Sequence, residues 1–202
     1  MGIMEIIGIA GSVSLLSGWR LYLCVFATGL AMRLGAIPLP DHLASLDVLA
    51  NPWVMGAALI GAVVEFFADK VMWLDSLWDT VHTLVRPVGG ALLALAIVDP
   101  SDPAMQVVAF LLGGGASLLA HGGKASARAA INTSPEPVSN IAASSVEDIA
   151  TVGLLWLAYE YPVAAGVVAS VLLVLVVALI ITARRLIRRV FGRKAADEPP
   201  TV

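Results

Sequence analysis

The chain has 202 residues, 59% of them hydrophobic and only 13% charged, whereas soluble domains carry about 25% charged residues. That composition excludes a water-soluble globular domain. The formal net charge of −3 carries little information because acids and bases are segregated along the chain, and the single Cys24 excludes an intrachain disulfide. The length fits one compact all-α domain, expected as a polytopic transmembrane bundle of about six spans over residues 1–184 with a basic cytoplasmic tail at 185–202.

Residues 4–34 read as the first span. The apolar stretch 6–17 resembles a signal-peptide core, but Glu5 precedes it and no Lys or Arg does, so cleavage is not expected. Arg20 falls near mid-membrane at 1.5 Å rise per residue. A charge there costs about 2.5–3.5 kcal/mol and needs a partner or a polar cavity. Two roles stay open for it, a structural pair with an acid of the second span or a contact to substrate. Ser17-Gly18-Trp19 reads as a helix break, and Gly8, Gly11, Ser12 and Ser14 supply a small-residue face for close helix contact. The string Gly11–Arg20 echoes Gly114–Lys124 with one residue inserted. A duplicated three-span unit would be a 3+3 inverted repeat, an architecture in which transporters bind near the midplane.

The second span, 52–69, descends from an outer loop (35–51) that lacks Lys and Arg. Glu65 and Asp69 form an i, i+4 acid pair at its inner end, followed by Lys70. In the inner segment 70–86, read as a helix, Asp75, Asp79, His82 and Arg86 fall within about 60° of one another, with Leu77, Val81, Leu84 and Val85 opposite. The commoner fate of such a segment is to lie flat at the interface with Trp73 and Trp78 at headgroup level. Alternatively it dips into the protein and lines a cavity. Asp79 and His82, at i, i+3, are the metal candidates, suited to Mn, Fe or Zn-type ions. No second His lies nearby and Arg86 shares their face, so no cofactor is expected.

A short third span, 87–98, starts at Pro87. After the acidic, proline-broken 99–103, the fourth span (103–121) leads into an inner segment, 122–142. There Lys124, Arg128 and Asn132 share a face at i, i+4, i+8; Gly122-Gly123 allows a sharp break; and Pro135 and Pro137 prevent a regular helix around Ser134 and Glu136. Ser139 or Asn140 can cap the fifth span, 143–160. Glu147 and Asp148 then sit in its first two turns, where the helix dipole favours acids, with Arg20, Lys124 or Arg128 as expected partners. The sixth span, 162–183, has twenty-two residues without a charge and runs into Arg184, Arg185, Arg188, Arg189, Arg193 and Lys194. About 20 apolar residues cross a bilayer. Ten of the twelve Lys and Arg fall in inner segments, which predicts both termini in the cytoplasm.

Asp69-Lys70, Trp73-x-Asp75, Trp78-Asp79-x-x-His82, Arg86-Pro87, Gly123-Lys124, Asn132-Thr-Ser-Pro-Glu-Pro137, Asn140 and Glu147-Asp148 together resemble the bacterial integral-membrane family known as domain of unknown function 4126. The resemblance covers most of residues 5–183 and implies an inner-membrane location but no activity. The run from Glu65 to Lys70 also echoes the Glu-x-Gly-Asp-Lys/Arg signature of a cation-exchanger family, departing from it by one added residue and by Ala68 in place of Gly.

The expected function is a secondary transporter or channel-like carrier of an ion or small polar solute through a charged inner-side cavity. Its lining would be Arg20, Glu65, Asp69, Lys70, Asp75, Asp79, His82, Arg86, Lys124, Arg128, Asn132, Ser134, Glu136, Asn140, Glu147 and Asp148. No Walker motif accompanies them. One alternative is a membrane enzyme acting on lipid or lipid phosphate, with His82, Asp79 and His121 for proton transfer and Lys124 with Arg128 holding phosphate. The other is a non-catalytic scaffold. The partners are the lipid bilayer and the solute, not nucleic acid. Gly56, Gly61, Gly89, Gly90 and Gly113–Gly115 favour a homo-oligomer. A charge-lined cavity that opens to each face in turn marks a carrier; a lateral opening marks an enzyme, and no cavity marks a scaffold.

Overall fold

The computed structural model describes residues 2–35, 47–98, 101–131 and 138–194. These form six helices: α1 (Ile3–Arg33), α2 (Pro52–Ala68), α3 (Met72–Ile97), α4 (Pro103–Ile131), α5 (Val138–Glu160) and α6 (Pro162–Lys194). Their starts follow from local chemistry. Pro52, Pro103 and Pro162 each occupy the first helical position, where a missing N–H costs nothing. The Asn51 side chain accepts from the Trp53 N–H at 2.9 Å, and the Asp102 carboxylate accepts from the N–H groups of Ala104 and Met105 at 3.1 and 3.0 Å. α1, α3, α4, α5 and α6 are long and apolar enough to cross a membrane, whereas α2 has only 17 residues. Large apolar side chains such as Leu84, Leu112, Ile149 and Val174 are 68–78% exposed on the outside of the bundle, a surface suited to lipid rather than water. The chain is an integral membrane protein.

α1 packs on all five other helices, and it does so by folding back on itself. Arg20 leaves helical geometry (φ −141°, ψ 71°) and kinks the helix. Before the kink, Ile6 and Ala10, together with Met105, pack against the Ala94, Val98 and Ala109 cluster, the Ser14 hydroxyl donates to the Gly90 carbonyl at 3.0 Å, and Lys124 donates to the Trp19 carbonyl at 3.4 Å. That half therefore runs alongside α4 and against α3. After the kink, Tyr22 meets His82, Thr28 bonds the Tyr159 hydroxyl at 3.0 Å, and Gly29 abuts the Leu49 carbonyl. In a straight helix Gly8 and Thr28 would lie about 30 Å apart. Instead Gly8 abuts the Pro162 carbonyl and Thr28 touches Tyr159, three residues away at the α5–α6 junction. Both halves of α1 thus point to one end of the bundle, and Arg20 is the apex.

The expected single continuous rise of the first segment is replaced by two arms that meet at Arg20. Ile3 lies at the end that carries the last turn of α1, the start of α2, the end of α3, the start of α4 and the α5–α6 junction. The turn 69–71, the end of α4, the start of α5 and the far end of α6 lie at the other. The break comes at Arg20, not at Ser17-Gly18-Trp19, because Gly18 is needed inside a helix: a Cβ there would collide with the Ser117 carbonyl and meet Ala120 at 2.8 Å. The two similar strings pack side by side in the same direction, with the Ser17 and Ser117 hydroxyls 3.3 Å apart. The opposed orientation that an inverted repeat needs is absent from them.

Three other boundaries differ. Segment 70–86 is not an interfacial helix preceding a short span; it is the first part of α3, which continues through Pro87 to Ile97. Gly122-Gly123 does not break α4. α5 begins at Val138, so Asn140 lies inside the helix, and Glu147 and Asp148 sit in about its third turn, beyond the reach of its N-terminal dipole. The residues from 184 to 194 extend α6 rather than forming a separate tail.

Candidate functional site

The charged face of α3 turns inward. Asp75, Asp79, His82 and Arg86 are at most 6% exposed, while Leu77, Val81, Leu84 and Val85 are 40–78% exposed. A flat interfacial segment would show the reverse, so the expectation of solvated charges is overturned. The inverted amphipathicity follows from the solvent: where lipid surrounds the bundle, charges are tolerated only against protein or a wet cavity.

Around the apex of α1 the inward charges form one network. Arg20 pairs with Asp69 through Nη1, with Glu147 at 3.5 Å through Nη2 and with Asp148 at 2.9 Å through Nε. Its Nη2 also donates to the Ser144 carbonyl and hydroxyl at 3.1 and 3.0 Å. The Lys124 ammonium lies 2.8 Å from Asp69, 3.9 Å from Asp79 and 3.8 Å from Glu147. Arg128 bonds Glu147 at 2.9 Å and the Asn140 side-chain oxygen at 2.6 Å. Arg86, fully buried, bonds Glu65 at 2.6 Å and Asp79 at 3.0 Å. Asp69, in the turn after α2, ties the pairs together: burial opposes its ionisation, but Lys124, Arg20 and Arg128 outweigh it and hold the carboxyl below the ordinary aspartate range. Lys70, in the same turn, donates to the Ser144 hydroxyl at 3.3 Å and lies over the Phe66 ring; partial burial lowers its pKa.

Thirteen of the sixteen residues singled out from the sequence fall within the described part of the chain, and all of them point into this interior; Asn132, Ser134 and Glu136 lie outside the described residues. Two of the expected roles fall on atoms that already have protein partners. The Asp79–His82 pair offers no ligand set. His82 Nδ1 can only donate to the Trp78 carbonyl at 2.8 Å, which leaves Nε2 to accept from the Tyr22 hydroxyl at 2.9 Å, and Asp79 is taken by Arg86. Among the described residues no group of three or more His, Cys, Asp or Glu is placed to hold a metal. Lys124 and Arg128, expected to hold a phosphate, are already engaged by carboxylates.

Three functional neighbours were missed as lining residues. His121 Nδ1 accepts from Arg86 at 2.7 Å, so its Nε2 carries the proton and faces the Asp79 carbonyl at 3.1 Å. The Ser144 hydroxyl accepts from Arg20 and Lys70, and the Ser117 hydroxyl donates to the Arg86 backbone carbonyl. Helical spacing was the available signal: His121 precedes Lys124 by three residues, and Ser144 precedes Asp148 by four, each on one face.

With Arg20, Lys70, Arg86, Lys124 and Arg128 against Glu65, Asp69, Asp75, Asp79, Glu147 and Asp148, the described network carries five formal positive charges and six negative. It is reached from the side. α2 and α5 scarcely touch, and between them opens a cleft of about 660 Å³. Its walls are Leu23, Ala62, Phe66, Ile149, Val152 and Gly153, and Arg20, Glu65 and Asp148 contribute the charge. Such an arrangement can bind a solute by exchanging internal ion pairs for ligand contacts, and its carboxylates can take up or release protons as partners shift.

Fold and site together define a polytopic membrane protein with an ionised interior. The chain belongs to the family described as Domain of unknown function (DUF4126), whose sequence model matches residues 7–182. No curated protein and no solved structure matches the chain.

Proposed function

We propose that this protein is a carrier for an ion or small polar solute, with the charge network around Arg20 as its binding centre. The observation that carries the reading is the fold-back of α1, which delivers Arg20 to the interior of the bundle against Asp69, Glu147 and Asp148. Broken helices whose ends meet at a buried charge are a recurrent way of building a solute site within a membrane. Retention of positive charge on the inner side orients the molecule in a plasma membrane with turn 69–71 and the far end of α6 in the cytoplasm. The amino-terminal end then faces outward, opposite to the orientation expected from the sequence.

A second reading, an enzyme acting on lipid, draws support from the lateral opening of the cleft. It is weakened by Ser144, which among the described residues is set between the Arg20 and Lys70 cations but does not line the cleft. The test is a stability screen of the purified protein against divalent cations, phosphates, amino acids and amines, followed by uptake of any stabilising solute into reconstituted vesicles. Protein-dependent accumulation supports the carrier; turnover of the bilayer lipid without accumulation contradicts it.

A further inference from the structure

Glu65 and Asp148 each present one oxygen to no donor. Glu65 is 1% exposed; its Oε1 is bound by Arg86, and its Oε2 is buried with no hydrogen-bond partner. Asp148 pairs with Arg20 through Oδ1, and its Oδ2 is likewise covered and without a partner. The two residues come from helices that stand apart, and both line the α2–α5 cleft. A buried carboxylate oxygen left without a donor is costly, so two of them lining one cavity define what it should receive.

We infer that the cleft between α2 and α5 binds a protonated amine bearing an apolar group, its N–H donors meeting the Glu65 and Asp148 carboxylates as their covered oxygens turn toward the cleft. Three features select this chemistry. Carboxylates only accept, so the head must donate. An anion would have to displace Asp69, Ser144, Glu147 or Asp148 from the Arg20 guanidinium, whereas a cation neutralises the network's single excess negative charge. The remaining walls are apolar, and about 660 Å³ falls in the roughly 300–1,000 Å³ range of small-molecule sites, far beyond a bare ion. Ile149 and Val152, 76% and 49% exposed, lead outward from Asp148 and set the entrance on the lipid-facing side, so the amine enters from the bilayer.

The inference rests on the carrier reading for its purpose but not for its binding site. Hexylamine, hexanol, hexanoate and hexyltrimethylammonium share one chain and differ in head, so they separate donor, charge and apolar contributions. With the full-length protein in nanodiscs of zwitterionic lipid, titration calorimetry should give saturable binding of hexylamine. Hexyltrimethylammonium, charged but without N–H donors, should bind at least tenfold more weakly, and hexanol and hexanoate not measurably. Asp148→Asn should weaken hexylamine at least tenfold. Because that variant touches the network, Gly153→Phe serves as the second: a side chain at Gly153 meets nothing within 4 Å, so the fold holds while the cleft fills and binding is lost. Equal binding of all four compounds, or a Gly153→Phe protein that binds hexylamine like wild type, overturns the inference. Hexylamine binding with no solute accumulated in vesicles refutes the carrier and leaves the site standing. Accumulation of another solute with no hexylamine binding does the opposite.

Discussion

Replacing Arg86 with Met removes one guanidinium from a fully enclosed pair while keeping most of the stem's bulk. Arg86 is 0% exposed and Glu65 1%, with 2.6 Å between their charged atoms. Asp79 keeps Lys124 at 3.9 Å, but Glu65, 1% exposed, is left with no ion-pair partner among the described residues. Breaking a buried pair from one side costs about 3–5 kcal/mol, mostly the penalty of the stranded charge. Removing both charges should cost less than the two single changes combined, with a coupling on the order of 2 kcal/mol between contacting groups. The assay is reversible unfolding in bicelles of wild type, Arg86→Met, Glu65→Met and the double variant. If Arg86→Met lies within about 1 kcal/mol of wild type, the range of an exposed pair, the pair is solvated and the reasoning about a buried network fails.

The fold-back of α1 predicts that Met4→Cys and Arg185→Cys, each in a Cys24→Ser background, react with an impermeant maleimide from opposite sides of the membrane; labelling of both from one side contradicts it. Cys24 itself, 0% exposed, should stay unlabelled until the protein is denatured. Gly18→Ala should destabilise by about 1–3 kcal/mol through overpacking, because its Cβ would meet Ala120 at 2.8 Å, whereas Gly115→Ala, facing open space, should be neutral in the same unfolding assay. Asp69, whose pKa is depressed in the fold, contributes stability that is complete above its unfolded value of about 3.9 and is lost as pH falls through the lower folded value. Asp69→Asn should therefore flatten the acid limb of the stability curve below about pH 4; an unchanged limb would place the titrating group elsewhere.

The charged residues that converge were legible in the sequence as candidates, because a bilayer keeps charges off lipid-facing surfaces. Asp75, Asp79, His82 and Arg86 at helical spacing mark one face whatever the tertiary structure. Which way that face turned was not legible, since a flat helix and a buried one share the same periodicity. The direction came from packing: Arg86 finds Glu65, His121 and the Gly18 carbonyl only inside the bundle. The path of α1 was hidden for a related reason. Thirty-one residues of apolar helix read as a span by length alone. Only the contacts of Gly8 with Pro162 and of Thr28 with Tyr159 reveal that it returns. Spacing brings Asp79 and His82 to one face but does not show that their donor atoms are engaged by Trp78, Tyr22 and Arg86.

The measurement that bears most directly on the central claim is charge movement in vesicles adsorbed to a solid-supported membrane, recorded as a stabilising solute is applied. Wild type should give a transient current that saturates with solute. Glu147→Gln, which withdraws a carboxylate from Arg128, Arg20 and Lys124 at 2.9, 3.5 and 3.8 Å, should insert normally and lose at least tenfold in apparent affinity. An unaltered current in Glu147→Gln, or none from wild type with any solute that binds, would contradict a binding centre at the apex of α1.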